Sequence, residues 1–245
     1  MTQNDNRDPD ADRPSARLRI LATTDLHMQF APHDYFSDRP APGRGLISVA
    51  RLFHRLTRDF LSRPGTAVLL VDNGDAYQGS PVSDAVQLDP ERVHPMIAAM
   101  NDMGYDAVTP GNHDFTYGLE FLDDLSRSAQ FPFVSSNIVR TGDRSGRQEA
   151  PPFNSRALIE KTITAPDGVK RALRIGIVGF APPQTVEWEN YSVGAELHSF
   201  DIVETARQTV PRLRDAGADI VVALAHSGIA GQSDPDIKEN AVAQL

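Results

Sequence analysis

The sequence predicts an α/β protein with a largely buried central sheet, and two observations indicate this. Short apolar runs alternate along the chain with stretches in which apolar residues recur at helical spacing. That alternation is typical of a sheet covered by helices. Polar residues directly follow several of the apolar runs, and in open α/β sheets ligands bind at the carboxyl ends of the strands. The functional residues are therefore expected at those ends.

The elements follow in order from residue 17. The apolar runs that predict single strands lie at 18–22, 67–71, 107–109, 131–138 and 219–224. The helical spacings lie at about 46–60, 95–103, 117–128 and 201–215. Pro95 suits a first helical turn, and Gly104 is expected to end the same helix.

A hairpin and two irregular segments complete the predicted layout. The strand-like segments 157–163 and 171–179 flank the turn Pro166-Asp167-Gly168, which predicts an antiparallel pair. The polar stretch 140–152 contains Gly and Pro and is interpreted as a surface loop. Residues 1–16 lack an apolar core, which predicts a disordered tail and argues against a signal peptide or membrane anchor. Residues 17–245 would then form one domain.

Composition limits the chemistry. The chain has 245 residues, a formal net charge of -9 and no cysteine. The negative charge argues against a nucleic-acid polymer as partner, and no run of about 18 apolar residues suggests a membrane span. Without cysteine, disulfides, thiolate zinc sites and cysteine nucleophiles are excluded. Any metal must be bound by nitrogen and oxygen, and a small phosphate ester held by such metals is compatible with the charge.

Four predicted strands each end in residue types that bind metals. The candidates are Asp25 and His27 after the first strand, Asp75 after the second, Asn112 and His113 after the third, and His226 after the last. We expect all of them at one edge of a single sheet. Carboxylate, amide and imidazole ligands suit manganese, zinc, iron or magnesium. Each motif alone is more often a surface segment or a turn, and the shared placement after strands favours a site.

The pattern resembles the calcineurin-like metallophosphoesterases, in particular their 5'-nucleotidase branch and the bacterial 2',3'-cyclic-nucleotide 2'-phosphodiesterase/3'-nucleotidase proteins. The matching segments are Thr24-Asp25-Leu26-His27, Asp72-Asn73-Gly74-Asp75, Gln78-Gly79-Ser80-Pro81, Gly111-Asn112-His113-Asp114 and Ala225-His226-Ser227-Gly228, together with Asp34-Tyr35-Phe36 and His94-Pro95. The resemblance implies an αββα sandwich that hydrolyses nucleotide phosphate esters with a hydroxide bridging two divalent metal ions.

The resemblance also implies roles for individual residues. Asp25 and His27 would hold the first metal ion, Asp75 would bridge both ions, and Asn112 and His226 would hold the second. His113 would stand beside the phosphate as a catalytic residue. Asp114, where relatives often have Glu, would orient its ring.

The carboxyl end departs from the family pattern. Relatives continue to a Gly-His-x-His motif that completes both metal sites and to a nucleoside-recognition domain, whereas this sequence ends at Leu245. It is therefore expected to be a truncated form that binds metal weakly. The alternatives are a metal- or nucleotide-binding remnant and one half of a split enzyme completed by a carboxyl-terminal chain. The start of the sequence predicts a cytoplasmic protein, while the family suggests the periplasm.

Three further features allow more than one interpretation. The segment 174–179, Arg-Ile-Gly-Ile-Val-Gly, has part of a dinucleotide-binding pattern, but a buried strand explains it better because no helix follows. Trp188 and Tyr191 could stack on a nucleobase, although packing within a loop is the simpler explanation. The remaining histidines have no ligand spacing; they are His33, His54, His94 and His198.

Overall fold

The computed structural model describes residues 15–87, 93–141, 153–229 and 239–245. The predicted tail at 1–16 therefore lies outside the described residues, apart from its last two positions. Most of the predicted loop at 140–152 also lies outside them, and Arg140 itself ends a strand.

Strands and helices alternate along the described chain. The strands are β1 (Arg17–Thr23), β2 (His33–Asp34), β3 (Arg39–Pro40), β4 (Thr66–Asp72), β5 (Ala107–Val108), β6 (Ile138–Arg140), β7 (Ala157–Thr164), β8 (Lys170–Phe180), β9 (Leu197–Ser199) and β10 (Ile220–Ala225). The helices are α1 (Leu46–Leu61), α2 (Pro81–Gln87), α3 (Pro95–Met103), α4 (Gly118–Ser128), α5 (Thr185–Trp188), α6 (Asn190–Val193) and α7 (Ile202–Asp215), with a short 3-10 helix at His113–Phe115 and another at Val242–Gln244.

The main strands form two three-stranded sheets instead of the single sheet expected. The first has the order β1-β4-β5 with all strands parallel. The second has the order β10-β8-β7, in which β10 is parallel to β8 and β7 forms the predicted antiparallel hairpin with it. The strand before His226 thus belongs to the second sheet. The expectation of one common sheet edge was wrong, because β10 pairs with the long strand β8.

The core shows that the two sheets pack face to face. Leu69 and Val71 of β4 lie in one apolar cluster with Ile175 and Ile177 of β8, between the sheets. Leu70 points the other way, into a cluster with residues of α1, α3 and α4. Successive side chains of a strand point to opposite faces of the sheet, which explains why neighbouring residues of β4 lie in different clusters. On the outer side of the second sheet, residues of β8 pack against α7. The layers are helix, sheet, sheet and helix, which confirms the αββα sandwich.

Local signals explain where several elements end. Gly104 follows α3 with φ of 71°, the left-handed conformation that glycine adopts most readily. Asp201 accepts a hydrogen bond from the Glu204 backbone N–H and begins α7. The part-dinucleotide pattern at 174–179 lies within β8, which confirms the buried strand.

The strand predicted at 131–138 was wrong over most of its length. Phe133 and Val134 form only isolated bridges, and regular pairing begins at Ile138. Between them, the Asn137 side chain accepts a hydrogen bond from Ala181 N–H and donates one to the Ala181 carbonyl. These side-chain bonds replace regular strand pairing.

No helix in the described ranges is long and apolar enough to cross a membrane.

Candidate metal centre

The candidate residues converge from both sheets. Asp25 and His27 follow β1, Asp75 follows β4, and His226 follows β10. One ligand atom from each of the first three lies within 4.8 Å of the others. His226 reaches the same place from the second sheet, with its Nε2 3.3 Å from Asp75 Oδ2. Residues separated by up to 201 positions therefore meet at the junction of the two sheets.

Asp75 is at the centre of this group. Its Oδ2 lies 4.0 Å from His27 Nε2 and 3.3 Å from His226 Nε2, while Asp25 Oδ1 lies 3.7 Å from His27 Nε2. The other oxygen of Asp75, Oδ1, accepts a hydrogen bond of 2.9 Å from the His113 backbone N–H. A carboxylate between two imidazoles has the arrangement required to contact two cations.

Both histidines are oriented by backbone carbonyls. His27 Nδ1 lies 2.8 Å from the Gln78 carbonyl oxygen, and His226 Nδ1 lies 2.8 Å from that of Asn73. A carbonyl oxygen can only accept, so each Nδ1 carries a proton, and Nε2 is the ring atom directed towards Asp75 and available to a metal ion. Metal-bound histidines are usually held in this way. The donor set, with nitrogen and oxygen atoms facing one another, therefore fits divalent metal ions.

Three of these residues have unusual backbone conformations. Asp25, His27 and Asp75 all have positive φ, at 53°, 44° and 59°. Non-glycine residues seldom adopt this region, which costs on the order of 1–3 kcal/mol where the surroundings impose it. Such conformations concentrate at functional sites, and here they coincide with the sequence-predicted ligands.

The loop after β4 is packed so closely that glycine is required. A Cβ added at Gly111 would lie 2.2 Å from Asp75 Oδ1, and one added at Gly74 would lie 2.5 Å from the Gly111 backbone nitrogen. Gly74 also has φ of 102°. The two loops can approach each other only because both positions lack a side chain.

Asp114 has a different position from the one expected. Its buried carboxylate accepts four backbone hydrogen bonds of 2.8–2.9 Å. The donors are Asp75, Ala76, Tyr77 and Gly111. Its oxygens accept from these amides and so join the two loops, and among the described residues the His113 ring makes no hydrogen bond to them.

The His113 ring faces another carboxylate. Its Nδ1 lies 4.0 Å from Glu189 Oε1, and the ring stands edge-on to that of His27 with 5.6 Å between the centroids. The side chain of His113 is 47% exposed. It therefore borders the metal-ligand group and remains accessible from solvent.

An open pocket lies at this junction. Its volume is about 320 Å³, and its lining includes Asp25, Asn112 and His226. Asn112, from the loop after β5, therefore lines the same pocket as Asp25 and His226. The pocket is large enough for a phosphate group and part of its ester.

Burial and pairing oppose each other in the electrostatics of the site. Burial alone would raise the pKa of Asp75, but its hydrogen bond and charge interaction with His226 hold that pKa below its usual value. Burial would lower the pKa of His226, and pairing with Asp75 instead raises it to about 9. Nearby, burial raises the pKa of Asp72 to about 8, although Thr23 donates a hydrogen bond to it. The site strongly favours positive charge beside Asp75.

Sequence reasoning missed Glu189 and the two carbonyls that orient the histidines. Glu189 lies 76 positions after His113 in a segment without a recognisable motif. Backbone carbonyls have no residue-type signal at all. The only local hint at the Asn73 carbonyl is the following Gly74.

Comparison with known proteins supports the fold and shows the family. The family model described as calcineurin-like phosphoesterase matches residues 18–244. The trifunctional nucleotide phosphoesterase protein YfkN of Bacillus subtilis is 38% identical over 239 residues, covering 95% of this chain and 16% of that protein. The crystal structure of calcineurin-like phosphoesterase YfkN from Bacillus subtilis has a TM-score of 0.83 and 37% identity, covering 95% of this chain and 68% of the other.

A second curated relative is similar over nearly the whole of this chain. The 2',3'-cyclic-nucleotide 2'-phosphodiesterase/3'-nucleotidase of Salmonella typhimurium is 37% identical over 231 residues, covering 93% of this chain and 34% of that protein. The chain thus spans between about a sixth and a third of the length of these two curated relatives.

Proposed function

Because the chain belongs to the calcineurin-like phosphoesterase family, we propose that it is a metal-dependent hydrolase of nucleotide phosphate esters, of the 2',3'-cyclic-nucleotide phosphodiesterase and nucleotidase type. The observation that carries the proposal is the position of Asp75 Oδ2 between His27 Nε2 and His226 Nε2, at 4.0 Å and 3.3 Å. The names of the relatives support the substrate class.

In this proposal the metal ligands are Asp25, His27, Asp75, Asn112 and His226. Asp25 and His27 would hold one ion, Asn112 and His226 would hold the other, and Asp75 would contact both. Two divalent ions, when bound, supply a water of lowered pKa as the nucleophile and neutralise charge on the phosphoryl group. Manganese, zinc, iron and magnesium all suit this mixed set of donors.

The chain's own residues position the ester and the leaving oxygen. The Asp75 carboxylate accepts a hydrogen bond from the His113 backbone N–H, and the Asp75 backbone N–H donates one to Asp114, so little reorganisation is needed when charge develops. His113 borders the site with an exposed ring and is the residue proposed to give a proton to the leaving oxygen. The role proposed for Asp114 is to hold the two loops together.

The proposal is tested by measuring phosphate release and metal content together. The purified chain is incubated with manganese and with 2',3'-cyclic AMP, 3'-AMP or 5'-AMP, and bound manganese is measured by elemental analysis. We expect hydrolysis that depends on manganese and stops with a chelator. A folded chain that binds manganese yet hydrolyses none of the three would leave only a metal-binding protein and overturn the proposal.

A further inference from the structure

Glu189 has a carboxylate that is nearly buried and faces His113. The Glu189 side chain is 13% exposed, and its Oε1 lies 4.0 Å from His113 Nδ1. Within the described ranges, no other ion pair or side-chain hydrogen bond is found for this carboxylate. Carboxylates with little exposure are seldom left without a charged or hydrogen-bonding partner, and the His113 ring lies within ion-pair distance of Glu189.

The segment that carries Glu189 is fixed against the loop that carries His113. Glu189 lies between α5 and α6, next to the buried residues Thr185 and Val193. Ser192 Oγ donates a hydrogen bond of 2.7 Å to the Thr116 carbonyl, directly after the 3-10 helix of His113. The carboxylate therefore has a defined position relative to the ring.

We propose that Glu189 is a positioning residue for His113. Its negative charge, 4.0 Å from His113 Nδ1, favours the proton on that nitrogen and limits rotation of the ring, so that Nε2, on the opposite side, is directed towards the leaving oxygen. A carboxylate paired with one imidazole nitrogen determines the tautomer and orientation that the other nitrogen presents. This inference rests on the proposed function.

The proton balance of the step is simple. The oxygen of water forms a bond to phosphorus while the bond from phosphorus to the leaving oxygen breaks. The leaving oxygen takes the proton from His113 Nε2, the attacking water releases one proton to solvent, and the ring recovers one proton from solvent. Glu189 exchanges no proton and only keeps the ring in place.

The first experiment compares two esters that differ in their need for a proton. The leaving group of 4-nitrophenyl phosphate is stable as an anion, whereas that of phenyl phosphate is less so. For Glu189→Gln we expect kcat on phenyl phosphate to fall by about 10-fold, part of the 10²–10⁴-fold that general acids contribute, with KM nearly unchanged. The loss on 4-nitrophenyl phosphate should be smaller. Equal losses on both esters would indicate a structural role and overturn the inference.

Glu187→Gln is the matched control. Glu187 is on α5, two residues away, with an exposed side chain, and the change removes the same charge. Both rates should remain at the wild-type value. An equal loss in this control would show that local charge, and not the contact with His113, is responsible.

Two further measurements test the inference independently: a double-mutant comparison of kcat and an NMR measurement of the His113 tautomer. After His113→Ala, the additional change Glu189→Gln should have no further effect on kcat, because the residue it positions is gone. In the metal-free protein, nitrogen-15 NMR of the His113 ring should report the proton on Nδ1 in the wild type and a mixture of tautomers in Glu189→Gln. Independent, additive losses or an unchanged tautomer would contradict the inference. Failure of the wild-type chain to hydrolyse any ester would instead contradict the proposed function.

Discussion

The loops after β1 and β4 each supply an aspartate with positive φ to the same site, yet they are built differently. The Asp25 side chain, after β1, is 53% exposed. The Asp75 side chain, after β4, is 3% exposed, and its own backbone N–H is bound by Asp114. The β1 loop depends on the β4 loop, because the backbone N–H groups of Asp25 and His27 donate to the carbonyls of Gly74 and Asp75.

The difference shows where the site is preorganised. The β4 loop is fixed by buried bonds and forms the framework, whereas the β1 loop is placed on it from the solvent side. Changes in the β4 loop should therefore affect both the fold and the metals. Changes in the exposed part of the β1 loop should lower metal affinity without lowering stability.

The largest effect is expected from Asp75→Asn. An amide cannot bridge two cations as a carboxylate does, so hydrolysis should be abolished and bound manganese should fall. Loss of an outer-shell partner alone typically costs about 10–100-fold, and loss of a bridging ligand should exceed that. Asp38→Asn is the control, because Asp38 also has positive φ but pairs with His33 outside the site. Wild-type rate and metal content in Asp75→Asn would remove Asp75 from the site.

The next largest effect is a loss of stability at low pH, which we attribute to a buried histidine that packs against the β4 loop. Buried His94 packs edge-on to Tyr77 of that loop, and within the described residues neither of its ring nitrogens has a hydrogen-bond partner. Burial lowers the pKa of His94 from 6.5 to about 4. Between these values the unfolded chain binds a proton that the folded chain does not, so the free energy of unfolding falls as pH drops, by up to about 3 kcal/mol.

His94→Phe should remove this part of the pH dependence, since the ring can then no longer be protonated. Denaturant unfolding at pH 7 and pH 4.5 measures it. His54→Phe, at an exposed position on α1, is the matched control and should leave the pH dependence unchanged. Equal acid sensitivity in the wild type and in His94→Phe would contradict this account.

Much of the fold could be predicted because its signals are local. The runs before Asp25 and Asp75 are strands, the second of them largely buried, and Pro95 and Gly104 bound α3 as expected. Which strands pair depends on contacts far apart in sequence, so the division into two sheets could not be predicted from apolar runs. The same limit applies to the segment before Ile138, where the side chain of Asn137 replaces strand pairing.

The candidate ligands could be predicted for a similar reason, since each follows a strand. Their roles as ligands stay predictions. The partners of the ligands could not be found, because orientation of His27 and His226 depends on backbone carbonyls. The family resemblance implied that Asp114 orients the His113 ring. In the structure its oxygens accept four backbone hydrogen bonds, and adjacent side chains on a turn of 3-10 helix point in different directions.

A smaller effect is expected from Asp114→Asn. The amide group that replaces one oxygen cannot accept from backbone N–H groups, so two of the four bonds to the loops are lost. Asp75 should lose its fixed position, and manganese affinity should fall by about 10–100-fold, the range typical of outer-shell partners. Calorimetric titration measures it. Asp124→Asn, on the exposed face of α4, should leave the affinity unchanged. An affinity unaltered by Asp114→Asn would show that the β4 loop does not need this support.

The smallest effect on stability is expected from Asp25→Asn, which tests the comparison of the two loops most directly. Because the Asp25 side chain is 53% exposed, the metal-free variant should unfold within about 0.5 kcal/mol of the wild type. Its manganese affinity should nevertheless fall. Asp75→Asn, measured in the same way, loses a buried pairing with His226 and should be destabilised by about 1–3 kcal/mol. If thermal unfolding showed equal destabilisation by both changes, the β1 loop would be part of the framework and not an addition to it.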